Sequence, residues 1–185
     1  ESEIVRVEIA KRLEDSQVIN KIAATEKSKA VLQELLPKAD DVDVIAQIAK
    51  SDADKDLRIK AVGMLAESED VRAQQFLLGM LTDDDLGREV IRVIKADDSP
   101  ALVNALLAVL EDHDRNKYLR KAAINKIAET GNRMAIEPIF HLYSQKKTAY
   151  DIQNEAERAL VKFGENAVDF LINCFKKEDT GDRKS

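Results

Sequence analysis

Leu119-Arg120-Lys121-Ala122-Ala123-Ile124-Asn125-Lys126-Ile127-Ala128-Glu129-Thr130-Gly131 is the stretch on which the fold turns. Its apolar residues recur at three- and four-residue steps, the period of an amphipathic helix. It stops at a glycine, a residue that accepts the positive φ of a helix C-terminus. The pattern returns as Ile152-Gln153-Asn154-Glu155-Ala156-Glu157-Arg158-Ala159-Leu160-Val161-Lys162-Phe163-Gly164, and the two glycines are 33 residues apart. A second periodic segment follows each glycine: Ala135-Ile136-Glu137-Pro138-Ile139-Phe140-His141-Leu142-Tyr143, then Ala167-Val168-Asp169-Phe170-Leu171-Ile172-Asn173-Cys174-Phe175. The repeated unit is helix, tight turn, helix.

Working toward the N-terminus, the pattern persists in weaker form. Leu57-Arg58 with Ala61-Val62 and Met64-Leu65 opens one unit, and Leu86 with Val90-Ile91 and Val93-Ile94 opens another. Val5-Arg6 with Ile9-Ala10 and Leu13 opens the first, and Leu32, Leu35 and Leu36 mark a short second one. Taking Val5, Ser28, Leu57, Leu86, Leu119 and Ile152 as equivalent gives spacings of 23, 29, 29, 33 and 33 residues. One hairpin cannot bury its own apolar stripe, so neighbouring hairpins must stack. The expected fold is all-α: a right-handed α-solenoid of about six stacked antiparallel helical hairpins. A single array is expected over residues 1–177, and a disordered tail over 178–185, since no apolar residue follows Phe175. Ala123 and Ala156 are expected in the interior.

Composition removes several functions. The chain has 185 residues, 35% charged and 44% hydrophobic, with 4% aromatic residues and no Trp. A net charge of −6 argues against a broad nucleic-acid footprint, so no nucleic-acid partner is expected. No run approaches the roughly 18 apolar residues of a membrane span, so no membrane partner is expected either. A lone cysteine, Cys174, excludes an intrachain disulfide and a Cys-based zinc site and fits a cytoplasmic protein. The opening Glu1-Ser2-Glu3, without Met, reads as a processed or excised piece.

With these residues in view, the last two units resemble the HEAT-like repeats of phycobilin lyases and bacterial scaffold proteins. That pattern has an apolar residue then Arg, an Ala pair, Leu-Gly, then Ala-Val-Glu-Pro-Leu-Ile. Arg6, Arg58 and Arg120 stand at the arginine position, Lys29 substitutes, and Gly87 and Gln153 depart from it. The likeness is strong over 115–177, fair over 53–114 and weak before. It implies an armadillo-type superhelix, and such a fold hosts many functions.

The residues that could carry chemistry each have a structural role available. Asp52, Asp54 and Asp56 have the spacing of a calcium loop, but Leu57 and Gly63 stand where an EF-hand needs Gly and Glu. These carboxylates, with Asp83–Asp85, Asp97-Asp98, and Asp112 and Asp114, are expected at helix starts, where they cap free N–H groups. His113 in a turn and His141 in a helix lack metal-ligand spacing, and Cys174 sits at an apolar position of its helix. The iron-holding His-Glu pairs of HEAT-like hydroxylases do not occur, nor do the Trp residues of HEAT-like DNA glycosylases. No catalytic, cofactor or metal residue is therefore assigned.

What remains is a surface. In HEAT-like stacks the second helix of each hairpin lines the concave side. Ile136, Ile139, Phe140 and Tyr143 form the inward stripe of one such helix, which puts Glu137 and His141 on the other side. Equivalent positions are Asp169 and Asn173, Asn104 and Ala108, and Gln75 and Gly79. The expectation is a non-enzymatic interaction scaffold, monomeric or weakly dimeric, gripping a basic or helical protein partner through these eight residues. The alternatives are a bilin-lyase-like enzyme or enzyme subunit, and a rigid spacer.

Overall fold

A computed structural model describes residues 2–51, 53–112 and 116–181. The chain is all-helical, with twelve α-helices among the described residues, in the α-solenoid class. By contact it divides into two compact units, Glu1–Lys95 and Ala96–Ser185.

The first unit holds α1 (Glu3–Arg12), α2 (Ser16–Ala23), α3 (Lys29–Leu35), α4 (Val42–Lys50), α5 (Lys55–Glu67), α6 (Val71–Met80) and α7 (Gly87–Val93). A 3-10 turn, Leu36–Lys38, extends α3. Helices meet their second neighbours in sequence, α1 on α3, α3 on α5 and α5 on α7, while α4 rests on α6. That skip-one packing is what a stack of hairpins produces: first helices line up in one layer and second helices in another. Leu35, Leu36, Leu65, Leu77 and Leu81 are fully buried between the layers.

The second unit holds α8 (Pro100–Glu111), α9 (Lys117–Thr130), α10 (Ile136–Ser144), α11 (Tyr150–Phe163) and α12 (Glu165–Gly181). Here α9 packs on α11 and α10 on α12. Ala123 and Ala156 have no exposed surface, as their place in the pattern requires. Gly131 ends α9 at φ 66°, and Gly164 turns the chain from α11 into α12 at φ 57°, ψ −131°. A side chain is strained in either conformation, and Gly164 has the one that is nearly glycine-only. Helix α12 continues past residue 177 to Gly181, while residues 182–185 lie outside the described residues.

The arginine position has a recurring structural role. From α1, Arg6 reaches Glu26 at 3.3 Å in the turn before α3. From α3, Lys29 reaches Asp54 at 2.8 Å in the turn before α5. Arg58 does most: its Nε donates to the Ala49 carbonyl at 3.0 Å, and its guanidinium meets Asp83 at 3.2 Å and Asp85 at 3.4 Å. In the second unit Gln153 donates to the Gln145 carbonyl at 2.8 Å, a neutral version of the same reach from a first helix to its neighbour's end.

Carboxylates follow the capping expectation in part. Asp15, Asp41, Asp54 and Asp70 cap α2, α4, α5 and α6, each accepting a backbone N–H of the first turn. A hydrogen bond from Lys29 holds the Asp54 carboxyl below its usual range, and one from Arg72 does the same for Asp70. Asp83 and Asp97 act one step earlier, bracing the turns ahead of α7 and α8. Asp112 corrects the expectation: it ends α8, and Asn116 caps α9 instead. Asp52, His113 and Asp114 lie outside the described residues. Cys174 is half-buried on α12 rather than sealed in the interior.

Candidate functional site

In the first unit the two anticipated surface residues sit one turn apart on α6, whose Ala73, Leu77 and Met80 face inward. Gln75 and Gly79 are both exposed. A Cβ added at Gly79 would meet nothing within 4 Å, so no neighbouring helix demands the glycine. Gly79→Ala should therefore stabilise the fold by up to about 1 kcal/mol through helix propensity. A thermal melt should show a rise of about 4 °C; a fall would mean that the backbone there needs glycine for a reason internal to the chain.

A cavity of about 400 Å³ lies between the turn after α2 and the C-terminal part of α4, lined in part by Thr25, Glu26, Gln47 and Ser51. Lys27 lines it too, but much of its remaining polar surface is committed to the fold. Glu26 accepts the N–H groups of Lys27 and Ser28 and pairs with Arg6, and the Gln47 amide donates to the Ala24 carbonyl.

The second unit carries the other six residues, two on each second helix: Asn104 and Ala108 on α8, Glu137 and His141 on α10, Asp169 and Asn173 on α12. All six are exposed. Pro100 and the Ser99 cap start α8, while Asn132 caps the 3-10 turn that leads into α10. These caps fix where each helix begins, and so which residues face out. The stripe expected on α10 is only half interior: Ile136 and Ile139 are buried, Phe140 is half-buried and Tyr143 is 43% exposed. Phe140 instead meets Phe170 of α12 edge to face, 5.6 Å between ring centres.

Two grooves flank α10. On the α8 side, Leu107, Leu110 and Glu111 face Pro138, His141 and Leu142 across a space of about 220 Å³ that Gln145 also lines. On the α12 side, a space of about 400 Å³ is bounded by Phe140 and Tyr143, by Leu160 and Val161 of α11, and by Val168 and Leu171 of α12, with Glu157 as its one charged wall. His141 lines the first groove; Glu137, Asn104, Ala108, Asp169 and Asn173 line neither. Reading the sequence for polar outer positions missed the apolar walls, because Leu107 and Leu142 look like interior residues. One signal was present: Leu102, Val103, Leu106, Leu107, Val109 and Leu110 make α8 apolar well beyond a single stripe. Among the described residues no group of three or more His, Cys, Asp or Glu side chains gathers as a metal site would require, and no helix is long and apolar enough to cross a membrane.

Residues 103–185 match the family model of HEAT repeats. No curated protein matches the chain in sequence.

Proposed function

We propose, for a chain whose residues 103–185 match the family model of HEAT repeats, that it is a protein-interaction module holding its partner on the outer face of its second helices. HEAT repeats commonly serve as protein-interaction scaffolds and are generally non-catalytic. In this reading Asn104, Ala108, Glu137, His141, Asp169 and Asn173 form the contact surface of the second unit. Gln75 and Gly79 are its counterparts in the first. The observation that carries the reading is the apolar groove between α8 and α10 with His141 on its wall, set among exposed polar residues. An apolar centre with a polar rim is the arrangement of protein interfaces, and the recessed space gives a partner side chain somewhere to insert.

The test combines Glu137→Ala, His141→Ala and Asn173→Ala. Each is exposed and should change stability by less than about 0.5 kcal/mol. Circular dichroism should show a folded protein with a near-native melt, while capture of the wild-type partner from lysate, read by mass spectrometry, should fall away. Undiminished capture by the folded variant would move the interface elsewhere.

A second reading, self-association, draws on α1, where Ile4, Val5 and Ile9 are 76%, 50% and 47% exposed. Sedimentation across a concentration series separates the two: a dimer lost on Ile4→Asp favours the second.

A further inference from the structure

The two grooves beside α10 have more in common than their apolar floors. Full charges on their walls are carboxylates, Glu111 on the α8 side and Glu157 on the α12 side, and His141 and Tyr143 are their other titratable wall residues. Glu137 is exposed on α10, the ridge between them, and Asp169 is exposed beside Val168. Two nearby cations are paired elsewhere and two stand outside the grooves. Lys162 pairs with Glu129 and Arg158 with Glu155, while Lys146 and Lys147 follow α10 in an exposed turn and line neither groove. Apolar side chains stand open to water here, with Val161 at 76%, Val168 at 51% and Tyr143 at 43% exposure.

The walls also select the backbone of whatever docks. An extended segment brings unpaired N–H and C=O groups, which need partners once buried. These walls offer few: Glu111, His141 and Gln145 on one side, Glu157 and Tyr143 on the other. A helix satisfies its own backbone and presents only side chains, which suits ridge-and-groove packing against α8, α10 and α12.

We propose that the two grooves flanking α10 together receive one basic amphipathic α-helix of a partner protein. Its apolar side chains enter both grooves, and its Lys or Arg residues face Glu111, Glu137 and Glu157. Carboxylates around an apolar floor favour such a helix over an acidic one through charge complementarity, which acts on specificity and association rate. This rests on the interaction reading above and names its partner class.

The test is selection from a displayed library of helical peptides with randomised apolar and charged positions, using the whole chain as bait. Peptides with apolar residues on one face and Lys or Arg flanking them should be enriched. A selected peptide should lose about tenfold in affinity to Glu111→Lys and again to Glu157→Lys. Val161→Asp with Val168→Asp, both at exposed positions, should abolish its binding while the melt stays near native. Enrichment of acidic or extended peptides, no enrichment at all, or affinity that survives both charge reversals would overturn the proposal. So would a homodimer that dissociates on Val168→Asp, because a second copy would then own the groove. If partner capture depends on Glu137 and Asn173 yet selected peptides ignore the groove variants, the interaction reading stands and this inference fails.

Discussion

Ala123→Asp is expected to unfold the unit spanning residues 96–185. Ala123 has no exposed surface and lies on α9, the helix that meets both α8 and α11. Its methyl group sits where a first helix packs against its neighbours, and Ile124 and Ile127 beside it are equally sealed. An aspartate there brings two penalties. The larger side chain overfills the contact, worth about 1–3 kcal/mol. Its carboxyl, without a partner, must stay buried in ionised form or take up a proton, which adds several kcal/mol more. Together these rival the roughly 5–15 kcal/mol that stabilises a domain of ordinary size. Ala122→Asp is the control, one residue away and half-buried, and should keep the fold. Far-ultraviolet circular dichroism and a urea titration read the difference. A cooperative Ala123→Asp transition within a few degrees of wild type would show that this seam is far looser than its burial implies.

Arg58→Ala should destabilise the first unit by about 2 kcal/mol, a large effect for a residue outside the apolar core. The side chain is only 13% exposed and joins three places at once: the Ala49 carbonyl at the end of α4, and Asp83 and Asp85 in the turn before α7. Its removal leaves a helix-end carbonyl short of a donor and takes the shared cation from two carboxylates. Arg58→Lys should recover only part of the loss, since an ammonium lacks the planar fork that serves the carbonyl and the carboxylates together. Denaturant midpoints at low and high salt distinguish the contributions. The carboxylate pairing should weaken with salt, whereas the bond to the Ala49 carbonyl should not. Equal stability of Arg58→Ala and wild type would reduce this recurring position to decoration.

The two predictions mark two depths at which the fold could be read in the sequence. Helix period and glycine stops located the hairpins, because burying one face of a helix forces apolar residues into a 3.6-residue rhythm that no distant contact has to supply. Val5, Leu57, Leu119 and Ile152 each fall inside the first helix of a hairpin, and Ser28 and Leu86 each stand at the N-cap of one. The arginine position was visible as a recurrence, but its partners were not. Glu26, Asp54, Asp83 and Asp85 lie some 20 to 27 residues away, and only stacking brings a turn against the preceding hairpin.

By itself, then, the sequence determined the all-helical class, the hairpin units, the interior alanines and eight exposed positions on α6, α8, α10 and α12, all of them consequences of local periodicity. Tertiary structure decided the rest. It put Asp112 at the end of a helix instead of a start, turned Phe140 toward Phe170, left Tyr143 in solvent, and opened grooves on both sides of α10. A groove exists only where the side chains of two helices fail to fill the space between them. That space depends on how closely the helices approach, a distance set by every packed residue along both.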